Sequence, residues 1–178
     1  MEIVVKVGTS TLAHATGRLN IRHVEELVKV LSDLKNAGHQ IILVSSGAIG
    51  IGTKKLRLGE RPTELRMKQA AAAVGQCRMM HIYDKLFAEY NRTVAQILLT
   101  GEDVESPVRS EHLHNTFEAL LELGVIPVVN ENDSVSSAEI ETGQCKVLGD
   151  NDTLSAIVAR LCGAGLLVLF SDIDGLYD

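Results

Sequence analysis

Lys6 stands inside an otherwise apolar run, Ile3-Val4-Val5-Lys6-Val7, and Gly8, Thr9 and Ser10 come directly after it. A charge in such a run is costly unless something meets it. Gly8, Thr9 and Ser10 make a turn whose backbone N–H groups and hydroxyls suit phosphate oxygens. The segment 45–52, SSGAIGIG, supplies more hydroxyls and more backbone open to close approach. NENDSV at 130–135 and GDND at 149–152 supply carboxylates and amides, which suit an ammonium group, Mg²⁺ or a lysine partner. SDIDG at 171–175 is a further acidic turn of the same kind. Phosphate binding beside a lysine, with carboxylates ready for a cation, is the chemistry these residue types allow.

Each segment also has a plainer explanation. SSGAIGIG alone is a tight strand-to-helix turn, NEND a solvated turn, and GDND a turn that supplies Asp152 as the N-cap of the next helix. Lys6 alone could carry its charge out to water along its stem. The combined case rests on placement, because each segment comes after a run that reads as a strand.

The elements that would position them alternate. IVVKV, QIILVSS, TVAQILLT, VIPVVN and GLLVLFSD are apolar runs of strand length. Between them lie helical patterns. From 20 to 37 the residues Val24, Leu27, Val28, Leu31 and Leu34 recur at helical spacing, with Asn20 as N-cap and Gly38 as the stop. A long helix is expected over 64–90, around the Ala-rich QAAAAVGQ. Others are expected at LHNTFEALLEL, ended by Gly124, and at NDTLSAIVARL. Strands apolar throughout and separated by helices predict an α/β fold: a three-layer α/β/α sandwich around a mainly parallel sheet. In such sheets ligands gather at the carboxyl ends of the strands, where these polar segments sit.

Composition narrows the function classes. The chain has 178 residues, a net charge of −6 and no Trp, and its basic residues form no cluster. Nucleic acid and anionic membranes therefore have no electrostatic or stacking support as partners. Cys77, Cys145 and Cys162 are an odd, isolated set that suits reduced thiols in the cytoplasm. His112 and His114 read as surface residues, and no metal ligand is assigned. Neither a signal peptide nor a membrane-spanning run is apparent. GxGxxG and GxxxxGK[ST] are both absent, so neither a dinucleotide fingerprint nor a P-loop is present.

The ordered set VVKVGTS, VSSGAIGIG, KQAAAAVGQ, VVNENDSV, GDNDTLSA and SDIDGLY resembles the glutamate 5-kinase family of the amino acid kinase superfamily, from Ile3 to Tyr177. The resemblance implies that 1–178 is an amino acid kinase domain that transfers a phosphoryl group from ATP, with Mg²⁺, to the γ-carboxylate of L-glutamate. That reaction opens proline synthesis. It implies proline as feedback inhibitor and a homo-oligomer.

By resemblance, Lys6 contacts the ATP phosphates and the moving phosphoryl group, with Gly8 beside it, and Asp152 organises the catalytic lysines. Ser46 with Gly47, Asp133, Asn151 and Asp150 would hold glutamate. Ser171 and Asp172 would begin the nucleotide-binding loop. The family pattern continues past Asp178 to a second catalytic lysine, so the sequence reads as cut short within the nucleotide-binding part. The RNA-modification-like domain of some relatives is not in it. Alternatives from the same residues are another superfamily kinase acting on a small carboxylate or phosphate, and a non-catalytic amino-acid sensor. A nicotinamide-binding domain is disfavoured by KVGTS in place of GxGxxG.

Overall fold

A computed structural model describes residues 1–12, 19–135 and 151–170. Asp150, Ser171 and Asp172 lie outside the described residues, as does Cys145. The strands are β1 (Glu2–Val7), β2 (Gln40–Val44), β3 (Val94–Leu99), β4 (Ile126–Glu131) and β5 (Leu166–Phe170). They form one parallel sheet in the order β3-β4-β2-β1-β5. The helices are α1 (Thr9–Leu12), α2 (Ile21–Asn36), α3 (Ala48–Lys55), α4 (Leu65–Ala88), α5 (Gly101–Glu105), α6 (Pro107–Glu122) and α7 (Asn151–Leu161).

Side chains alternate across a strand, so an all-apolar strand feeds two cores at once. Ile3, Val5 and Val7 of β1 join Ile41 and Leu43 of β2 under α2 and α4, where Val28, Leu31, Met79, Tyr83 and Phe87 are buried. Val4, Ile42, Val44 and Val129 face the other way, against Phe117 and Leu121 of α6 and Leu154 and Val158 of α7. This is the expected three-layer α/β/α sandwich. Lys6 shares the parity of Val4 and so belongs to the α7 side of the sheet.

Asn20 caps α2, accepting from the His23 N–H at 3.4 Å, and Gly38 comes just after that helix with φ +90°. Two expectations are corrected, and one plainer explanation is set aside. SSGAIGIG is not a turn throughout: the turn is confined to 45–47, and Ala48 already begins α3. The helix expected at LHNTFEALLEL begins earlier, at Pro107, where proline's missing N–H costs nothing and Ser106 accepts from the Arg109 N–H at 3.5 Å. Asp152 lies inside the first turn of α7 and does not cap it, which frees its carboxylate for Lys6.

No helix among the described residues is long and apolar enough to cross a membrane.

Candidate active site

Strand register brings the site together. Lys6 is level with Val44, and Val44 with Val129, so β1, β2 and β4 finish side by side. Lys6, Ser45 and Asn130 are the residues at those ends. The Ser45 N–H donates to the Val129 carbonyl at 2.9 Å, which carries the pairing one residue past β2. The chain then turns at Gly47, whose φ of +94° lies in the left-handed region. An L side chain there would cost about 1–2 kcal/mol.

Lys6 is met by Asp152. Its Nζ lies 2.7 Å from Asp152 Oδ1, with the lysine side chain 11% exposed and the aspartate 45%. The charge inside the strand thus has a partner from the start of α7, open to water on the aspartate side. Asn151, one residue earlier, gathers the next strand end. Its Nδ2 donates to Ser46 Oγ at 2.6 Å and to the Ser45 carbonyl at 3.2 Å, and lies 3.4 Å from Asn130 Oδ1. Asn130 is buried, accepts from the Glu131 N–H at 2.9 Å, and donates from Nδ2 to Gln76 Oε1 at 3.0 Å.

The turn is also secured from below. Ser45 Oγ lies 2.9 Å from the Tyr83 hydroxyl and 3.3 Å from Met79 Sδ, both on α4. Burial pushes the Tyr83 phenol up to about 12, against a smaller opposing effect of its bond to Ser45, so it stays neutral.

These groups open onto one cavity of about 430 Å³. Glu131, beside Asn130 at the end of β4, is among its lining residues. Of the residues expected from sequence, Lys6, Gly8, Ser46, Gly47, Asp133, Asn151 and Asp152 share this cavity. Asn130, expected only as the first residue of NENDSV with no role of its own, and Arg61, which nothing in the sequence marks, also line it. Asn130 carried a signal of the same kind as Lys6, a polar side chain ending an apolar strand. Arg61 lies in the irregular link between α3 and α4, where no periodicity marks it.

The family model for the amino acid kinase family matches residues 1–178. The chain belongs to the amino acid kinase family. Among its relatives, glutamate 5-kinase of Clostridium perfringens is 53% identical over 99% of this chain and 65% of that protein. Glutamate 5-kinase of Listeria innocua is 54% identical over 98% of this chain and 63% of that protein. Glutamate 5-kinase of Clostridium acetobutylicum is 57% identical over 99% of this chain and 64% of that protein. This amino acid kinase chain therefore spans just under two thirds of the length of those relatives.

Proposed function

We propose that the protein is a cytoplasmic enzyme that phosphorylates the γ-carboxylate of L-glutamate with ATP, giving L-glutamyl 5-phosphate, the opening step of proline synthesis. The observation that carries the reading is the meeting, in one cavity, of the Lys6–Asp152 ion pair with the Asn151–Ser46 hydrogen bond. The names of the relatives add the substrate.

The chemistry brings two anions together, so neutralising and aligning them is the main task. A carboxylate acceptor is ionised near neutral pH and needs no base to activate it. Lys6 supplies positive charge where the phosphoryl group would pass, and Asp152 fixes its ammonium in place. Gly8 lets the ATP phosphates come close to β1, and Ser171 and Asp172 extend that binding. Ser46 and the backbone at Gly47 donate to the substrate carboxylate. Asp133, Asp150 and Asn151 offer oxygens to its ammonium group.

ATP arrives with Mg²⁺, which lowers the repulsion between phosphate and acceptor. Among the described residues no group of three His, Cys, Asp or Glu side chains is gathered for a metal. Proline as feedback inhibitor, a homo-oligomer, and a nucleotide-binding part completed by a second lysine are part of the same proposal.

The test is steady-state kinetics of the full-length protein and its Lys6→Met variant, which keeps the apolar stem and removes the charge. Wild type is expected to release ADP only with L-glutamate. The variant should lose at least about 100-fold in kcat, on the order of general electrostatic stabilisers, while the glutamate KM changes little. Glutamate binding by calorimetry without turnover in the wild-type protein would support a sensor and overturn the kinase reading.

A further inference from the structure

Four amide and hydroxyl side chains run head to tail from α4 into the cavity, and the direction of that run has a chemical meaning. Gln76 is 6% exposed and its Oε1 accepts from Asn130 Nδ2 at 3.0 Å. Asn130 is 2% exposed, and its Oδ1 faces the Glu131 N–H at 2.9 Å and Asn151 Nδ2 at 3.4 Å. The two Asn151 Nδ2 hydrogens are shared among that Asn130 oxygen, Ser46 Oγ at 2.6 Å and the Ser45 carbonyl at 3.2 Å. With the amide nitrogen turned inward, the Asn151 oxygen is the outer end of the row.

Two backbone groups disfavour the reverse arrangement without excluding it. Flipping Asn151 would set its oxygen against the Ser45 carbonyl, and flipping Asn130 would set its NH₂ against the Glu131 N–H. With both amides held this way, Asn130 Nδ2 needs an acceptor on its buried side. Gln76 Oε1 is the acceptor it has. A buried amide donor left without one loses a substantial share of its stabilisation and favours the flipped state.

We propose that Gln76 is a positioning residue that fixes the polarity of the Asn130–Asn151 amide row, so that the site shows acceptors to the ammonium group of its substrate. The inference rests on the reading of the cavity as an L-glutamate site and adds a residue to it. Gln76 does not touch the substrate. It acts through Asn130, from the helix whose buried Met79 and Tyr83 hold Ser45 at the neighbouring turn.

The test uses two ligands on the full-length protein, L-glutamate and glutarate, which differ in the ammonium group alone. Calorimetry gives the ratio of their affinities. Gln76→Met removes the acceptor at nearly constant size, and should weaken L-glutamate at least tenfold while leaving glutarate within about twofold, so the ratio collapses. Gln76→Glu keeps an acceptor oxygen and should restore most of the ratio. If Gln76→Met fails to fold, as judged by circular dichroism, Gln76→Asn replaces it: smaller, still polar, with its oxygen drawn out of reach. An unchanged ratio in the folded acceptor-less variant, or equal weakening of both ligands, would overturn the proposal. Wild-type protein that does not prefer L-glutamate over glutarate would instead overturn the substrate reading, and the proposal with it.

Discussion

A lysine in a buried strand is tolerable when the strand ends within a residue of it and a carboxylate waits there. Lys6 satisfies both conditions: β1 ends at Val7, and Asp152 reaches the ammonium from α7. This was legible in sequence because a lone charge in an apolar run has few innocent explanations. Gln76 was not legible in the same way. A glutamine in an Ala-rich helix is ordinary, and only the approach of β4 gives it a task. The cysteines show the same contrast between types that look alike in sequence. Cys77 is exposed. The Cys162 thiol is pushed up to about 12, by burial first and then by the carboxylates of Glu2 and Glu118. Thiolate is the reactive form. Iodoacetamide at about pH 8, near the ordinary thiol pKa, is therefore expected to alkylate Cys77 and spare Cys162, read by peptide mapping. Equal labelling of the two would contradict the environment described for Cys162.

At the scale of elements, the crossing of α3 and α4 decides how the turn at Ser46 is held. A Cβ added at Gly75 would lie 1.7 Å from the Ala48 carbonyl oxygen, and one at Gly52 would lie 1.7 Å from the Ala71 carbonyl oxygen. Backbone sits against backbone at both points, and neither carbonyl can move without moving its helix. Gly75→Ala is accordingly expected to cost about 3 kcal/mol or more, in the upper range for overpacking. The cost should appear as a lower midpoint in urea, with the glutamate affinity falling in parallel as Ala48 is pushed away from the cavity. A midpoint within experimental error of wild type would show that the helices can part freely. The same crossing explains why SSGAIGIG misled sequence reasoning. Closely spaced glycines resemble a loop, since glycine weakens an isolated helix. Here Gly52 is helical because α4 requires a residue without a side chain at that point. Propensity is local, whereas the reason for this glycine is another element.

At the scale of the whole molecule, the alternation of strands and helices carried nearly all of the fold. The central strands feed two cores each, and that requirement is written as unbroken apolar runs. The site is less completely written, because it is assembled from ends of β1, β2 and β4 together with the starts of α3 and α7. A ligand bound there ties together elements distant in the chain, and it binds only when all are in place. L-Glutamate at about 100 times its Kd should therefore stabilise the folded protein by about 2.7 kcal/mol. For a chain of this size that corresponds to a rise in Tm of about 5–10 °C, measurable by calorimetric scanning. Glutarate, lacking the ammonium, should give a visibly smaller rise. No rise with L-glutamate would argue that the cavity takes a different acid.

The level register of Lys6, Val44 and Val129 has one more consequence. A slip of one residue in any of these strands would send its polar end residue to the opposite face of the sheet. Lys6 would then point toward α2 and α4, away from Asp152, or Asn130 would turn from Asn151. A misregistered sheet could still be compact and rich in secondary structure, since its strands are apolar on both faces and either face can bury them. It could not gather the cavity. Under the proposed function, activity recovered after refolding counts the molecules whose three central strands found the right alignment, a quantity that spectroscopy of the backbone would miss.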